Sequence, residues 1–402
     1  MTSSNGHRDV VVAGYARTPF GKFGGALRDV PLPDLGAVSV RAALERSMVA
    51  PEEVDELAFG VNFPGSERSV ARQVLLRAGI PESRSAYTVD RACCSSLAAF
   101  SLACRSLSLG ESEIAVAGGV DNLSRVPYFL ESMRWGHRLG STTVVDQLVI
   151  SCPHTGVARA VQAGREALEF GIGRDEQDAW ALRSQQYAAR AVADGAFDDQ
   201  LAPVQMTGPG GTLVELSADE VPRPGTTAEA LSRLPTVYDS PTVTAGNAPD
   251  LSSGSSALVL TTASRAKERS LPVLARVEGW AMASGDPQKV ASMPAVSANR
   301  ALARAGRTLG EVALIEVNEA FAAVPLVTTL VLADEDAAAA ERLRERTNVN
   351  GGAIAFGHPT GATGGRLLMT AISELRRRGG GVGLVTICGG VGEAEAIVLE
   401  VA

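Results

Sequence analysis

Two cysteines, one histidine and one asparagine are the side chains of this 402-residue sequence whose surroundings suit chemistry. Cys93 stands between a short apolar segment, Ala86–Val89, and an Ala/Leu/Phe-rich stretch, Leu97–Leu107, with the composition of a buried helix. A thiol at a helix N-terminus meets free N–H groups that favour the thiolate and lower its pKa. The same groups can hold the oxyanion of an acyl intermediate. A buried structural cysteine is the commoner fate of a lone Cys, and Cys93 by itself does not establish catalysis. His358 lies in Asn350-Gly-Gly-Ala-Ile-Ala-Phe-Gly-His-Pro-Thr-Gly-Ala-Thr-Gly-Gly-Arg366. So many glycines around one imidazole imply close backbone approach and a pinned ring, which suits a general base; a turn-rich packing loop with an incidental histidine looks the same. Cys388 closes the apolar run Val382–Ile387 and leads straight into Gly389-Gly390. It is placed to shuttle a proton or to fill a small core space. Asn318, in Val317-Asn-Glu-Ala-Phe-Ala, is a polar amide between apolar runs, either a helix cap or a group that positions water.

The elements that must position these residues alternate. Val10–Ala13, Leu57–Gly60, Ala86–Val89, Ile114–Ala117, Ala257–Leu260 and Val382–Ile387 read as short strands. Leu32–Met48, Leu97–Leu107, Arg174–Asp194 and Thr363–Arg377 read as helices, and Pro51 as the start of another. Such alternation predicts an α/β protein with parallel or mixed sheets. Between about Asp121 and Leu251 the strand signals thin, and loops such as Gly208-Pro-Gly-Gly surround one strong helix. The expected organisation is a first half (residues 1–120 with 252–271), a loop or lid insertion (121–251) and a second half (272–402). A weak internal echo supports two halves. Strand, Cys93-Cys-Ser-Ser, helix and a strand ending Ala117-Gly-Gly reappear as Asn348–Gly352, Gly357-His358-Pro359, helix and a strand ending Cys388-Gly-Gly.

Composition narrows the class. The chain is 45% hydrophobic, enough for large cores, and its net charge of −8 argues against a nucleic-acid partner. The first residues lack the basic-then-apolar order of a secretion signal, and no apolar run is read as reaching the roughly 18–20 residues that span a bilayer, so a cytoplasmic protein without membrane contact is expected. Five scattered cysteines form no disulfide framework, and neither they nor the four histidines have metal-ligand spacing, so no metal is expected. Dinucleotide, P-loop and serine-hydrolase signatures are missing as well.

Five blocks carry a resemblance to the thiolase family of acyl-CoA acyltransferases over nearly the whole length. They are Ala16-Arg-Thr-Pro-Phe-Gly-Lys-Phe-Gly-Gly, Val89-Asp-Arg-Ala-Cys93-Cys-Ser-Ser-Leu, Gly118-Gly-Val-Asp-Asn-Leu-Ser-Arg-Val-Pro-Tyr, Asn318-Glu-Ala-Phe-Ala and Gly357-His358-Pro-Thr-Gly-Ala. The resemblance implies a layered αβαβα fold of two similar βα halves with an inserted loop domain. It makes Cys93 the acyl-accepting nucleophile, His358 its activator and Cys388 the acid/base on the α-carbon of a second acyl-CoA. Asn318 would hold a water beside His358, Gly390 or Gly389 would supply an oxyanion N–H, and Phe321 would line the pocket. His154 would lie near the pantetheine arm, and Arg223 and Tyr238 near the CoA nucleotide. The implied partners are acyl-CoA and CoA, with no further cofactor, in a homodimer or homotetramer. A carrier-protein-dependent ketoacyl synthase is disfavoured by Cys388 and Asn-Glu-Ala-Phe. A silent acyl-CoA-binding protein is disfavoured because Cys93, His358 and Cys388 are all retained.

Departures from the family pattern carry expectations of their own. Asp90 stands where Asn is usual, Ser96 where Gly is usual, Cys94 where a small residue is usual, and Pro249 where a Ser is usual. Thr155 takes a place often held by Met, and the loop from Asp146 to His154 is short. Together these predict an acyl pocket roomier than an acetyl-only site, unless other residues refill the space. The adjacent pair Cys93-Cys94 predicts sensitivity to oxidation.

Overall fold

One mixed sheet runs through the molecule, and its strand order displays two halves. The computed structural model describes residues 9–149 and 151–402. The first half supplies β1 (Val10–Arg17), α1 (Leu32–Ser47), β2 (Glu56–Gly60), α2 (Val70–Arg77), β3 (Ser85–Val89), α3 (Ser95–Leu109) and β4 (Ile114–Asn122). An excursion containing α4 (Arg159–Glu169) and α5 (Arg174–Ala193) follows before β5 (Ser252–Thr262) returns to the sheet. The second half supplies β6 (Ala275–Ser284), α6 (Met293–Ala305), β7 (Val312–Val317), α7 (Ala323–Leu332), α8 (Thr363–Arg377), β8 (Gly381–Cys388) and β9 (Glu393–Val401).

The order across the sheet is β7-β8-β9-β6-β1-β5-β4-β2-β3. Outward from the seam between β1 and β6, one half runs β1-β5-β4-β2-β3 and the other β6-β9-β8-β7. In both, the inner pairs are antiparallel and the outer pairs parallel. The place that β3 fills has in the second half only a parallel bridge between Ile315 and Thr347. Asn348 extends it with its side chain, accepting from the Val317 N–H and donating to the Val317 carbonyl at 2.8 Å each. The seam itself pairs only Val11 with Arg276 and Val12 with Ala275.

Side chains fill the layers as the alternation predicts. Between the half-sheets, Phe100 and Leu107 of α3 and Leu367, Ile372 and Leu375 of α8 pack with Leu258, Val385 and Ile397 from the strands. Each such buried leucine contributes about 1.5–3 kcal/mol. Leu35, Val40 and Val74 of α1 and α2 cover the outer face of the first half-sheet. Ala298, Leu302 and Val327 of α6 and α7 cover that of the second. The result is the expected αβαβα arrangement.

Several sequence-based bounds are corrected. Pro51 does begin a helical turn, but Pro51–Glu53 is a single 3-10 turn that feeds β2 rather than a longer helix. Ala92–Leu109 is apolar and long enough to cross a bilayer, against the expectation, yet it is mostly buried here as the core helix α3 with its leading turn. β4 and β5 are both much longer than their apolar runs, β4 through Gly118-Gly119 and β5 through Ser252-Ser-Gly-Ser-Ser. The hydroxyls that hide β5 are satisfied inside the core. Ser253 donates to Asn122 Oδ1 at 2.6 Å, Ser255 to the Gly119 carbonyl at 3.0 Å, and Ser256 to the Ala362 carbonyl at 2.7 Å.

Candidate active site

The turn from Asp90 to Cys94 joins β3 to α3. Ala92 adopts a left-handed φ of 49°, a conformation that costs a β-carbon-bearing residue roughly 1–2 kcal/mol. Asp90 steadies it by accepting the Ala92 N–H at 3.0 Å, which gives the departure at position 90 a local role. Ser95 Oγ accepts from Arg91 N at 2.9 Å and donates to the Ala92 carbonyl at 2.6 Å. Arg91 pairs with Glu393 and Glu395 of β9, tying this turn to the other half. Cys93 is left half-buried, whereas Cys94 is fully buried with its thiol 3.5 Å from the Ile387 carbonyl as donor. Ser96 has a use too: its hydroxyl accepts the free first-turn N–H of Gly365 in α8 at 3.2 Å.

The segment carrying His358 is clamped from the first half. Its backbone N–H donates to the Asp250 carbonyl and to Ser252 Oγ, both at 3.2 Å. The buried Asp121 carboxylate at the end of β4 accepts from Asn62 N at 3.2 Å, Phe63 N at 2.9 Å and Gly361 N at 2.6 Å, and from the Thr360 hydroxyl. Burial pushes its carboxyl up to about 6 against these donors. At Gly119 a β-carbon would collide with the Gly361 carbonyl oxygen, so β4 carries glycine where the histidine segment crosses it.

The ring itself is oriented through its two nitrogens. Thr363 Oγ1 donates to the Pro359 carbonyl at 2.9 Å and lies 2.8 Å from His358 Nδ1. With the hydroxyl proton spent on Pro359, Nδ1 must be the donor, and the lone pair falls on Nε2. Nε2 is 3.4 Å from Asn318 Nδ2, and Asn318 Oδ1 is buried without a protein partner. His358 is only 8% exposed. Burial, helped by the Arg366 charge, pushes its pKa down to about 3, so the imidazole is neutral near pH 7.

A second buried carboxylate performs the matching clamp in the second half. Glu319 Oε1 accepts from Trp180 Nε1 at 2.9 Å and Asn348 Nδ2 at 3.0 Å; Oε2 accepts from Ser184 Oγ at 2.7 Å and Ile354 N at 3.1 Å. Asn318 is thereby held beside the histidine.

Cys388 ends β8 and is 2% exposed. Burial pushes its thiol well up, and the neighbouring Cys93 adds to the effect. Burial also pushes Cys93 up, to about 12, with Arg159 opposing and Asp121 and Asp90 reinforcing. The expectation of a thiol acidified by the start of α3 is overturned, because the cost of desolvating the thiolate outweighs the helix terminus. After Cys388, the Gly389 N–H is consumed by the Glu393 carbonyl at 2.6 Å. Gly390 lies against the nucleophile turn: a β-carbon on it would be 3.1 Å from Ala92 Cβ and 3.2 Å from Arg159 Nη2.

Arg159, Asp121, Glu319 and Thr363 were not singled out by sequence reasoning. The other nominated residues lie more openly. Phe321 is half-buried against the second-half core. His154 and Thr155 are exposed on a turn; Arg159, at the start of α4, is the side chain buried there. Arg223 is exposed and pairs with Asp250, whose carbonyl holds His358 N. Tyr238 is 58% exposed with a φ of 52°. Residues 1–8, on which the secretion reading rested, and Ile150 of the short loop lie outside the described residues. Among the described residues no group of His, Cys, Asp or Glu is arranged to hold a metal ion.

Comparison with known proteins matches these features. The family models for the thiolase N-terminal domain and the thiolase C-terminal domain match residues 10–264 and 271–401. The chain is 40% identical over 402 residues to a probable acetyl-CoA acetyltransferase of Escherichia coli (strain K12), covering 98% of this chain and 99% of the relative. The crystal structure of the Bacillus anthracis acetyl-CoA acetyltransferase superposes with a TM-score of 0.94 at 37% identity, covering 99% and 100% of the two chains. The human mitochondrial 3-ketoacyl-CoA thiolase in complex with CoA gives 0.91 at 36% identity, covering 98% of each.

Proposed function

The chain belongs to the thiolase family and is an acyltransferase, and we propose that it exchanges acyl groups between CoA thioesters through a thioester on Cys93. The observation that carries the reading is a neutral imidazole whose Nε2 lone pair meets only Asn318 Nδ2, held on the segment that leads into α8, together with two protonated thiols, of which Cys388 feels Cys93. In the cleavage direction, Cys93 Sγ bonds to C3 of a 3-oxoacyl-CoA while its proton passes to His358 Nε2. The C2–C3 bond breaks, and C2 takes the Cys388 proton, releasing acetyl-CoA. CoA then returns a proton to Cys388 and its sulfur takes the acyl group, Cys93 recovering its proton from His358. Condensation is the reverse. Splitting the transfer into two steps through a nucleophile is what the cysteine contributes.

Because both thiols are pushed up, no standing thiolate is needed. The Cys93 proton leaves as the new bond forms, with the developing oxyanion met by the Gly390 N–H. Each such donor is worth roughly 3–4 kcal/mol. Asn318 supports the His358 side of the thioester. Phe321 borders the acyl group, and His154, Arg223 and Tyr238 serve the CoA moiety. Only protons and an acyl group move, so the reaction calls for no other cofactor. The open outer edge of β3 supports pairing with a second copy, and exposed Trp135 and Leu139 support further association to a tetramer. Free cysteines throughout the described residues support a reducing, cytoplasmic setting, and exchange of acyl groups between CoA thioesters suits a role in fatty-acid metabolism. The test is incubation with acetyl-CoA: thiol titration should register CoA release, and peptide mass analysis an acetyl group on Cys93. Release without that adduct would refute the covalent route.

A further inference from the structure

Arg159 is a buried cation without a counter-charge among the described residues. Its residue is 8% exposed, and among the described residues no carboxylate pairs with it. Among the described residues its one hydrogen bond is from Nη1 to Gln162 Oε1 at 2.8 Å. Buried charges are ordinarily paired because desolvation is costly. The position compounds the cost: Arg159 is the first residue of α4, where the helix dipole is positive and disfavours a cation, and the first turn of α4 holds no acidic residue.

The placement is held firmly. Gln162 reaches the Pro287 carbonyl at 3.4 Å, and Glu166 accepts Val290 N at 2.6 Å, Ala291 N at 2.7 Å and Ser292 N at 3.0 Å, which fastens α4 to the approach to α6. Nη2 lies against Gly390, and the charge acts on both the Cys93 and Cys388 thiols. Neither thiol neutralises it at rest, since both stay protonated. The CoA phosphates are a pantetheine arm away from the reacting sulfur. Apart from the transient oxyanion at Gly390, the remaining source of negative charge is the acyl group itself.

We propose that Arg159 binds a carboxylate at the far end of the acyl group, so that short carboxyacyl thioesters are preferred substrates. This rests on the thiolase reading. A 3-oxo diacid thioester would be cleaved by the same balanced steps, leaving the carboxyacyl group on Cys93 with its carboxylate on the guanidinium. No co-reactant beyond CoA is required.

The experiment compares thiolysis of 3-oxoadipyl-CoA and 3-oxohexanoyl-CoA, which have equal chain lengths and differ in a terminal carboxylate against a methyl. Wild type should favour the carboxylate in kcat/KM by about 30-fold, the scale of a charge-assisted hydrogen bond. Arg159→Met should invert that ratio, and Arg159→Lys should keep its direction. Equal loss on both substrates in Arg159→Met would overturn the proposal, since the arginine would then serve the thiols or the oxyanion. A wild-type preference for the methyl chain would overturn it without any variant, so a poorly folding mutant leaves the test intact. If wild type cleaves acetoacetyl-CoA but neither six-carbon substrate, the proposal fails while the thiolase reading stands; if it cleaves no 3-oxoacyl-CoA at all, the thiolase reading itself fails, and that outcome is distinct.

Discussion

The starts of α3 and α8 occupy corresponding places between the half-sheets, yet they hold their reactive groups in opposite ways. Cys93 is half-buried behind a left-handed alanine, and its turn is held by local bonds and the Arg91 ion pairs. His358 is buried and held from several sides: backbone to Asp250 and Ser252, Nδ1 to Thr363, the following loop to Asp121. The difference follows from the work of each group. A nucleophile must present its sulfur to an incoming chain and release it, whereas a base must keep one tautomer through the cycle.

Removing the sulfurs should have the largest effect. Cys93→Ala should lose at least about 10⁴-fold in acyl transfer with an unchanged melting temperature, because nucleophile deletions in covalent enzymes cost on that scale. Cys388→Ala should still acquire an acetyl group from acetyl-CoA by mass spectrometry but neither condense nor exchange α-protons. Normal condensation by that variant would assign the base elsewhere. Breaking the clamp on the histidine side comes next. Asp121→Asn turns one of its four acceptor contacts into a donor facing a donor and should cost about 3 kcal/mol in urea unfolding.

Acid sensitivity sharpens the same contrast. His358 has a folded pKa of about 3, below its unfolded value, so the unfolded chain takes up a proton that the folded one refuses. The stability it confers is present above the unfolded pKa and is lost as pH falls from about 6.5 toward 3. His358→Gln should therefore unfold with a shallower pH dependence across that window; an identical slope would show that the imidazole is not buried neutral. Thr363→Val, which removes the Nδ1 acceptor, should lower kcat about tenfold, the worth of one hydrogen bond to a group that becomes charged. The smallest effect is expected on the thiol side. Ala92→Gly relieves the left-handed strain and should raise stability by about 0.5–1 kcal/mol. Turnover should fall about two- to threefold as the turn loosens.

Much of this was legible in the residues. The glycine-rich surroundings of His358 signalled close backbone approach, and Gly119 under Gly361 is that approach. The echo between the halves corresponds to α3 and α8 at equivalent points. β5 was only half visible because serines line it, and a polar strand reads as a loop until partners for its hydroxyls are known. α4 was hidden by its mixture of Arg, Gln and Gly, with Gly164 tight against Ser240 and Thr242. Arg159 could not be singled out, because in sequence it is one arginine among many, and only its burial against Gly390 without a carboxylate partner among the described residues distinguishes it. The pKa of Cys93 was misjudged for a related reason: a helix terminus can be read locally, whereas desolvation depends on the opposite half closing over it.

The place of β5 also sets the order of events during synthesis. It lies between β1 and β4, both made long before it, with the whole excursion of α4 and α5 in between. While the ribosome is still translating that excursion, β1 and β4 wait with a strand-wide gap and two bare edges between them. The first half therefore cannot complete its sheet on the nascent chain until Thr262 has cleared the exit tunnel. Non-local pairing of this kind is slow and exposes sticky edges meanwhile, so chaperone demand should peak while residues 123–262 are being made.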